Sequence, residues 1–299
     1  SKIIYFMKSL LIIFKKQKIF KDADIFKTNQ LLGSWIAILC KLIFKKKLIV
    51  RTGYDLLEFT IQNNKSLNKK FLYYLLTQLA LFSSDLYSVT SKSDKQLLDK
   101  RFLKTKDIKI RSNWVFIPKE IDIDNRLNTS LLMVGRLEKQ KNFLLVLEKL
   151  KKSKYKIDIY GKGSEKQLIE KRAAENALNV SIIENIKNKE LVQIYGRYKF
   201  FLLPSLFEGN PKALLEAMAA GCIVIASDIS NHKEIIKSHT NGILFNFQED
   251  NLVELLDSLL LEEEILKNIS QSAIEYIQKN NSLDSYIEKE MSDYRLLSK

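Results

Sequence analysis

Between Leu131 and Phe245, short apolar runs alternate with stretches of helical periodicity. The runs at 131–134, 156–160, 180–183, 200–203, 223–226 and 243–245 read as strands. The segments 142–152, 164–176, 188–195, 211–220 and a shorter one near 231–237 read as helices. Strands that are apolar at every position are buried on both faces, and helices of about ten residues between them serve as crossovers. This order predicts a parallel sheet covered on both sides, with ligands outside the C-terminal strand ends. Three loops on that edge are rich in glycine or polar residues: Gly135-Arg136, Gly161-Lys162-Gly163, and Ser205 to Pro211.

The first part of the chain has the same character. Strands are expected at 24–28, 48–52, 87–90 and 115–117, with helices over about 31–44 and 67–82. It opens on a basic, helix-like stretch instead of a strand with a glycine loop. The polar segment 119–130 shows no periodicity and marks a boundary. Two domains follow: 1–125, truncated-looking, and 126–299, with the C-terminal helix expected to pack back on the first.

Composition narrows the class. A hydrophobic fraction of 46% with 28% charged residues fits a packed globular chain of 299 residues. Cys40 and Cys222 lie in apolar runs without CxxC spacing and read as buried free thiols in a reducing compartment. No secretory signal and no apolar run of roughly 20 residues is evident, so a cytoplasmic location is expected. The net charge of +14 lies wholly in residues 1–128, which carry 25 Lys and Arg against 11 Asp and Glu. Lysine clusters at 15–18 and 45–47 adjoin bulky apolar residues. That pattern suits docking at an anionic membrane surface, peripherally at its inner face; a lysine-rich solvated surface explains it equally. No nucleic-acid module accompanies the charge, and no nucleic-acid partner is expected.

The richest stretch for chemistry is FLLPSLFEGNPKALLE, Phe201 to Glu216. A buried strand ends at Pro204-Ser205; Glu208-Gly209-Asn210-Pro211 follows, then a helix. Asn210 suits an N-cap and Pro211 the first helical position. Free N–H groups at such a helix start favour a phosphate or diphosphate, and Glu208 and Glu216 flank that place. Amides for a diphosphate and carboxylates for sugar or ribose hydroxyls suit a nucleotide sugar. In GRLEKQKN, Gly135 permits close approach of a ligand, and Arg136 and Lys141 have the charge and reach for a diphosphate. The alternative for this segment is an ordinary turn with exposed basic residues. The alternative for Gly161 and Gly163 in IYGKGSE is a tight connection.

Together, VGRLEKQKN, IYGKGSE and LLPSLFEGNPKALLEAMAAGCIVIASD resemble the donor-binding half of the retaining glycosyltransferases of family 4, also called glycosyl transferases group 1. The resemblance covers residues 114–250 well and the rest loosely. It implies the α/β GT-B fold: two Rossmann-like domains facing each other across a cleft, the N-terminal one here short or incomplete. It implies that Arg136 and Lys141 contact the donor diphosphate, Glu208 the transferred sugar and Glu216 the ribose hydroxyls. Glu208 with the two cations would form the catalytic group. Gly135, Gly161, Gly163, Gly209, Asn210, Pro211, Ala213 and Leu214 would line the donor site. It also implies a metal-independent hexosyltransferase without a cofactor. A UDP, GDP or ADP sugar would be the donor, and a glycan or lipid-linked acceptor of cell-surface polysaccharide synthesis would receive the sugar. Asp122-Ile123-Asp124 spells a DxD but falls in the inferred linker.

The departures lie in the first domain. Where the family often carries histidines, this chain reads Lys27-Thr28-Asn29-Gln30 and Arg51-Thr52-Gly53-Tyr54. Asn29, Arg51, Gly53 and Tyr54 are therefore the acceptor-side candidates. The two histidines, His232 and His239, are expected on a surface helix or loop. A non-catalytic partner that keeps the donor fold without a working acceptor half, and a nucleotide-sugar epimerase of the same fold, are the alternatives.

Overall fold

The computed structural model of the chain describes residues 10–53, 55–103 and 107–298. The described residues group into two units: one runs up to Ser112 and resumes at Ile287, and the other spans Asn113–Tyr286. The division falls ahead of the polar stretch 119–130. Trp114 to Ile117 belongs to the second unit: the Val115 N–H donates to the Asn281 carbonyl, and its side chain is buried in that unit's core.

In the first unit, β1 (Ile25–Thr28), β2 (Lys47–Arg51), β3 (Leu86–Val89) and β4 (Ile108–Ile110) form a parallel sheet in that order. The strand expected at 115–117 is absent, and 108–110 supplies the fourth strand instead. Val115 and, in part, Ile117 pack into the second unit's core without sheet pairing, while Phe116 is exposed. Helices Ser34–Phe44 and Leu67–Ser83 lie where periodicity put them; Leu56–Gln62 and Lys92–Arg101 were not expected. Both begin on side-chain caps, Asp55 accepting from Leu57 and Glu58, and Ser91 from Asp94. The core gathers Phe26, Leu48, Val50, Leu81, Tyr87 and Ile108. Residues from Ile287 on are tied into this unit by ion pairs, Arg111 with Asp293 and Lys27 with Glu290.

The second unit holds six parallel strands: β5 (Leu127–Val134), β6 (Lys156–Tyr160), β7 (Val180–Ile183), β8 (Tyr198–Leu203), β9 (Ile223–Ser227) and β10 (Ile243–Phe245). Their spatial order is β10-β9-β8-β5-β6-β7. The chain moves outward from β5 through β6 to β7, then returns to lay β8 on the other side of β5. Its crossovers include helices Phe143–Lys149, Lys166–Glu175, Asn188–Tyr195 and Lys212–Ala219. Alternate residues face opposite covered sides: Leu131, Phe200 and Ile223 join one core, while Leu132, Phe201 and Val224 join the other. Two buried faces are the physical reason these strands are apolar at every position. The tail forms helices Leu252–Leu259, Glu263–Asn281 and Leu283–Leu297.

Phe200 sits in the central strand pair and has no exposed surface. Phe200→Ala removes the whole buried ring and should destabilise the second unit by about 3–5 kcal/mol, readable as a lowered urea midpoint. A shift below about 1 kcal/mol would contradict the central position of this ring in the core.

Candidate functional site

In an open parallel sheet, the crevice forms where the strand order reverses, at the C-terminal ends of the two strands that part company. Here those strands are β5 and β8. Gly135 to Lys141 leaves β5, and Pro204 to Pro211 leaves β8. The two loops are joined side by side. Gln140 lies between them: its carbonyl accepts from the Leu206 N–H at 2.9 Å, and its side-chain amide donates to the Phe207 carbonyl at 2.8 Å. Sequence reasoning missed Gln140, because nothing in its spacing distinguishes it from a surface glutamine.

This junction brings two predicted residues together. Lys141 Nζ pairs with Glu208 Oε1 at 2.5 Å, with both side chains largely buried. Ser205 Oγ donates to the same oxygen at 2.7 Å. Arg136 is exposed on the β5 loop, and its Nη2 donates to Gln140 Oε1 at 3.2 Å. Both cations therefore stand on the loop next to the one carrying Glu208 and leading to helix Lys212–Ala219.

Packing accounts for the GxG of the β6 loop. A Cβ on Gly161 would lie 1.8 Å from the Gly135 carbonyl oxygen, and one on Gly163 would lie 2.3 Å from that of Leu137. Leu137 N–H donates to the Lys162 carbonyl at 3.0 Å, so the two turns touch through their backbones. Gly135 itself is faced by the Lys141 stem, 3.1 Å from where its Cβ would be.

Asn210 does not cap the helix. The cap position is Pro211, extended at φ −70° and ψ 111°, with no side-chain cap bond. Asn210 Oδ1 instead accepts from the Asn113 N–H at 2.8 Å, and its carbonyl accepts from Asn113 Nδ2 at 2.7 Å. Asn281 Nδ2 donates to the Asn113 carbonyl at 2.7 Å, so a clasp of three asparagines holds the loop. Helix Lys212–Ala219 thus opens with its leading N–H groups, those of Lys212, Ala213 and Leu214, free of any side-chain cap, which suits an anion. Gly209 precedes them. Lys212 lies over the Trp114 ring at 5.6 Å.

Glu216 lies one turn into the helix. Its Oε2 accepts from the Tyr195 hydroxyl at 3.2 Å, and Oε1 stands 3.8 Å from Lys212 Nζ. Burial raises its pKa above the usual carboxylate value, while the Lys212 charge and the tyrosine bond oppose that rise.

His232 contradicts its expected place at the surface. It lies on the short helix Ser230–Lys233 after β9, which neighbours β8, and it has no exposed surface. Its Nδ1 lies 2.8 Å from the Ser227 carbonyl oxygen, which fixes the proton on Nδ1. Nε2 is therefore a bare acceptor, buried and without a hydrogen-bond partner among the described residues. A histidine three residues beyond Ile229 in a polar segment gives no periodic signal of burial; the short turn after β9 decides it.

Asp122 and Asp124 serve their own turn: Asp122 accepts from the N–H groups of Asp124 and Asn125, and Asp124 pairs with Lys267. Among the described residues no group of three or more His, Cys, Asp and Glu side chains is arranged to hold a metal ion. A cavity of about 130 Å³ lies at the opposite, N-terminal strand ends, beside Arg126, Lys199 and Gly221. In the first unit, Asn29 follows β1, Arg51 ends β2 and donates to the Arg111 carbonyl at 3.1 Å, and the Gly53 carbonyl accepts from Thr90 at 2.8 Å. Tyr54 lies outside the described residues.

With this geometry in place, comparison with known proteins gives a consistent result. The family described as Glycosyl transferases group 1 matches residues 119–276, just over half of the chain. The Escherichia coli protein named O-antigen biosynthesis glycosyltransferase WbnH is 26% identical over 83% of this chain and 71% of its own length. Other curated relatives extend well beyond the match: the chain spans 34% of one and 44% of another. Among solved structures, sucrose-phosphate synthase from Thermosynechococcus elongatus superposes with a TM-score of 0.81 at 18% identity, over 95% of this chain and 76% of that one. Anabaena HepE in complex with UDP and glucose gives 0.79 at 13% identity, over 96% and 82%. These likenesses establish the fold, the GT-B type, with its two parallel α/β sheets.

His232 gives a testable pH dependence. Burial holds its pKa below the ordinary histidine value, against the opposing pull of the Ser227 bond and of Glu208's charge, while Lys141's charge lowers it further. Below about pH 6.5 the unfolded chain takes up a proton here that the folded chain refuses, so stability falls with falling pH and is unaffected above that value. His232→Asn keeps a donor toward Ser227 and lacks the titrating ring. Its melting temperature should drop less than the wild type's between about pH 7.5 and 5.5. Equal drops would contradict a buried neutral histidine.

Proposed function

The chain belongs to the group 1 glycosyl transferases, and from that membership we propose that it is a retaining, family 4-type hexosyltransferase of cell-surface glycan synthesis. Its donor is a nucleotide-diphosphate sugar, of UDP, GDP or ADP type, and its acceptor a lipid-linked or polysaccharide glycan. The relative named for O-antigen biosynthesis and the neighbour solved with UDP and glucose support this reading. One observation carries it: the Lys141–Glu208 pair stands at the strand-order reversal, ahead of a helix whose first N–H groups lack a side-chain cap.

In this reading, the diphosphate rests on backbone N–H groups within Gly209 to Leu214, Pro211 having none to give, with Arg136 and Lys141 against its charge. Glu208 accepts from hydroxyls of the transferred sugar, and Glu216 from those of the ribose. The reaction is a front-face displacement. The bond from the sugar's C1 to the β-phosphate oxygen breaks, and its electron pair stays on the phosphate. The acceptor hydroxyl oxygen bonds to C1 on the same face, and its proton passes to the leaving phosphate. Cationic and amide groups act on charge that develops as that bond breaks, where preorganised electrostatics contribute most. These side chains and amides do the work of a metal ion, and no cofactor takes part. Asn29, Arg51, Gly53 and Tyr54 would serve the acceptor.

We also propose that the first unit docks on an anionic membrane, where a lipid-linked acceptor resides. Helix Leu67–Ser83 exposes Phe71, Leu75, Leu79 and Phe82 along one stripe, with Lys69 and Lys70 near its start, and the chain's whole charge excess lies in this region. No described helix is long and apolar enough to cross a membrane.

A thermal-shift screen against UDP-, GDP- and ADP-sugars should raise the melting temperature with one of the three, and that donor should turn over with glycan acceptors. Arg136→Ala should lower kcat/KM by about 10²-fold, the share of a few kcal/mol of leaving-group stabilisation. Full activity in this variant would overturn the role given to Arg136, and nucleotide binding without any turnover would overturn the enzymatic reading. Vesicles containing phosphatidylglycerol should sediment the chain and neutral vesicles should not, and Phe71→Glu/Phe82→Glu should weaken that binding several-fold; equal sedimentation with both vesicle types would exclude an anionic docking surface.

A further inference from the structure

We propose that Tyr195 is a positioning residue: it orients the Glu216 carboxylate and thereby sets the chain's preference for a ribonucleotide over a 2′-deoxyribonucleotide. This rests on the reading of Glu216 as the ribose contact and extends it to a residue outside the motif.

Tyr195 closes helix Asn188–Tyr195, the crossover that leads into β8. It is completely buried. Its ring meets Phe201 edge-to-face at 5.7 Å, and its own carbonyl accepts from Cys222 Sγ at 3.1 Å. Ring and backbone are therefore both fixed. A buried phenol requires a polar partner, and here the partner is Glu216 Oε2, 3.2 Å away. A core tyrosine usually bonds a backbone carbonyl; this one reaches the carboxylate flanking the donor helix.

The consequence is geometric. With Oε2 held from the protein interior, the carboxylate plane is set and Oε1 stands toward Lys212, 3.8 Å off and beyond hydrogen-bond reach. A carboxylate that accepts from a sugar diol discriminates well only if its plane is fixed before the ligand arrives, as second-shell partners do for other ligand groups. The phenol also favours the ionised carboxylate against the effect of burial. The charged and titratable groups bearing on Glu216 are Lys212 on its own helix and Tyr195 on the neighbouring one.

Tyr195→Phe removes one oxygen and keeps the ring in place. Calorimetric titration of the full chain, with UDP, GDP and ADP and the 2′-deoxy form of each, compares wild type, Tyr195→Phe and Glu216→Gln. In the wild type, the diphosphate that binds should do so more tightly than its deoxy counterpart. Tyr195→Phe should weaken the ribonucleotide about 3- to 10-fold, the worth of one hydrogen bond, and leave the deoxynucleotide unchanged. Its acidic limb of binding should move to higher pH, because the ionised carboxylate has lost a donor. An equal loss for both nucleotides with an unmoved pH profile would assign Tyr195 to packing alone and overturn the proposal. If Glu216→Gln loses the preference while Tyr195→Phe retains it, Tyr195 falls and the ribose reading of Glu216 stands. If the wild type itself shows no preference, that reading fails and takes this one with it.

Discussion

Lys141 and Glu208 form an ion pair across two loops that are 67 residues apart in sequence and adjacent in space. The pairing exists because β8 returns to lie beside β5 after the chain has gone out through β6 and β7. A buried pair of this kind is costly to assemble unless its remaining polar atoms are satisfied, and Ser205 supplies the second bond to Glu208. Gln140 stitches the same two loops, its carbonyl accepting from the Leu206 N–H and its side-chain amide donating to the Phe207 carbonyl. The arrangement thus holds a cation and a carboxylate together at the crevice; in the function proposed above, the lysine serves the diphosphate and the carboxylate the sugar hydroxyls.

Around this junction, the second unit invests its polar bonds in holding loops still. Three asparagines, Asn113, Asn210 and Asn281, clasp the loop ahead of the helix. Gly161 and Gly163 let the β6 turn press against the β5 turn. Tyr195 holds Glu216 from beneath, and the Ser227 carbonyl fixes the His232 tautomer. A site whose amides and side chains are placed before the ligand arrives spends little on reorganisation when charge develops, which is the economy expected of group transfer without large covalent rearrangement of the protein.

The sequence was most legible where local and tertiary demands agree. Strands 156–160, 180–183 and 243–245 and helix 188–195 appear at the positions periodicity assigns. It was least legible where a residue's fate is decided by something distant. The run 115–117 reads as a strand because it is apolar, yet Val115 and Ile117 pack into the second unit's core without pairing in a sheet. Helix Lys92–Arg101 was missed because its polar composition offers no apolar stripe, although Ser91 caps it. Asn210 has an N-cap's chemistry, but Asn113 takes its side chain first.

The chain's own order of residues determined the class of fold and which charged and polar side chains are available to the candidate site. Apolar periodicity is a local property, and the residue types in GRLEKQKN and EGNPKALLE state which charges are present. Only the tertiary structure decided which of them meet. The strand-order reversal put Lys141 on Glu208, the short turn after β9 buried His232, and the crossover helix ending at Tyr195 delivered a phenol to Glu216. The ion pair spans 67 residues of sequence and the tyrosine bond 21, and no local propensity encodes contacts of that kind.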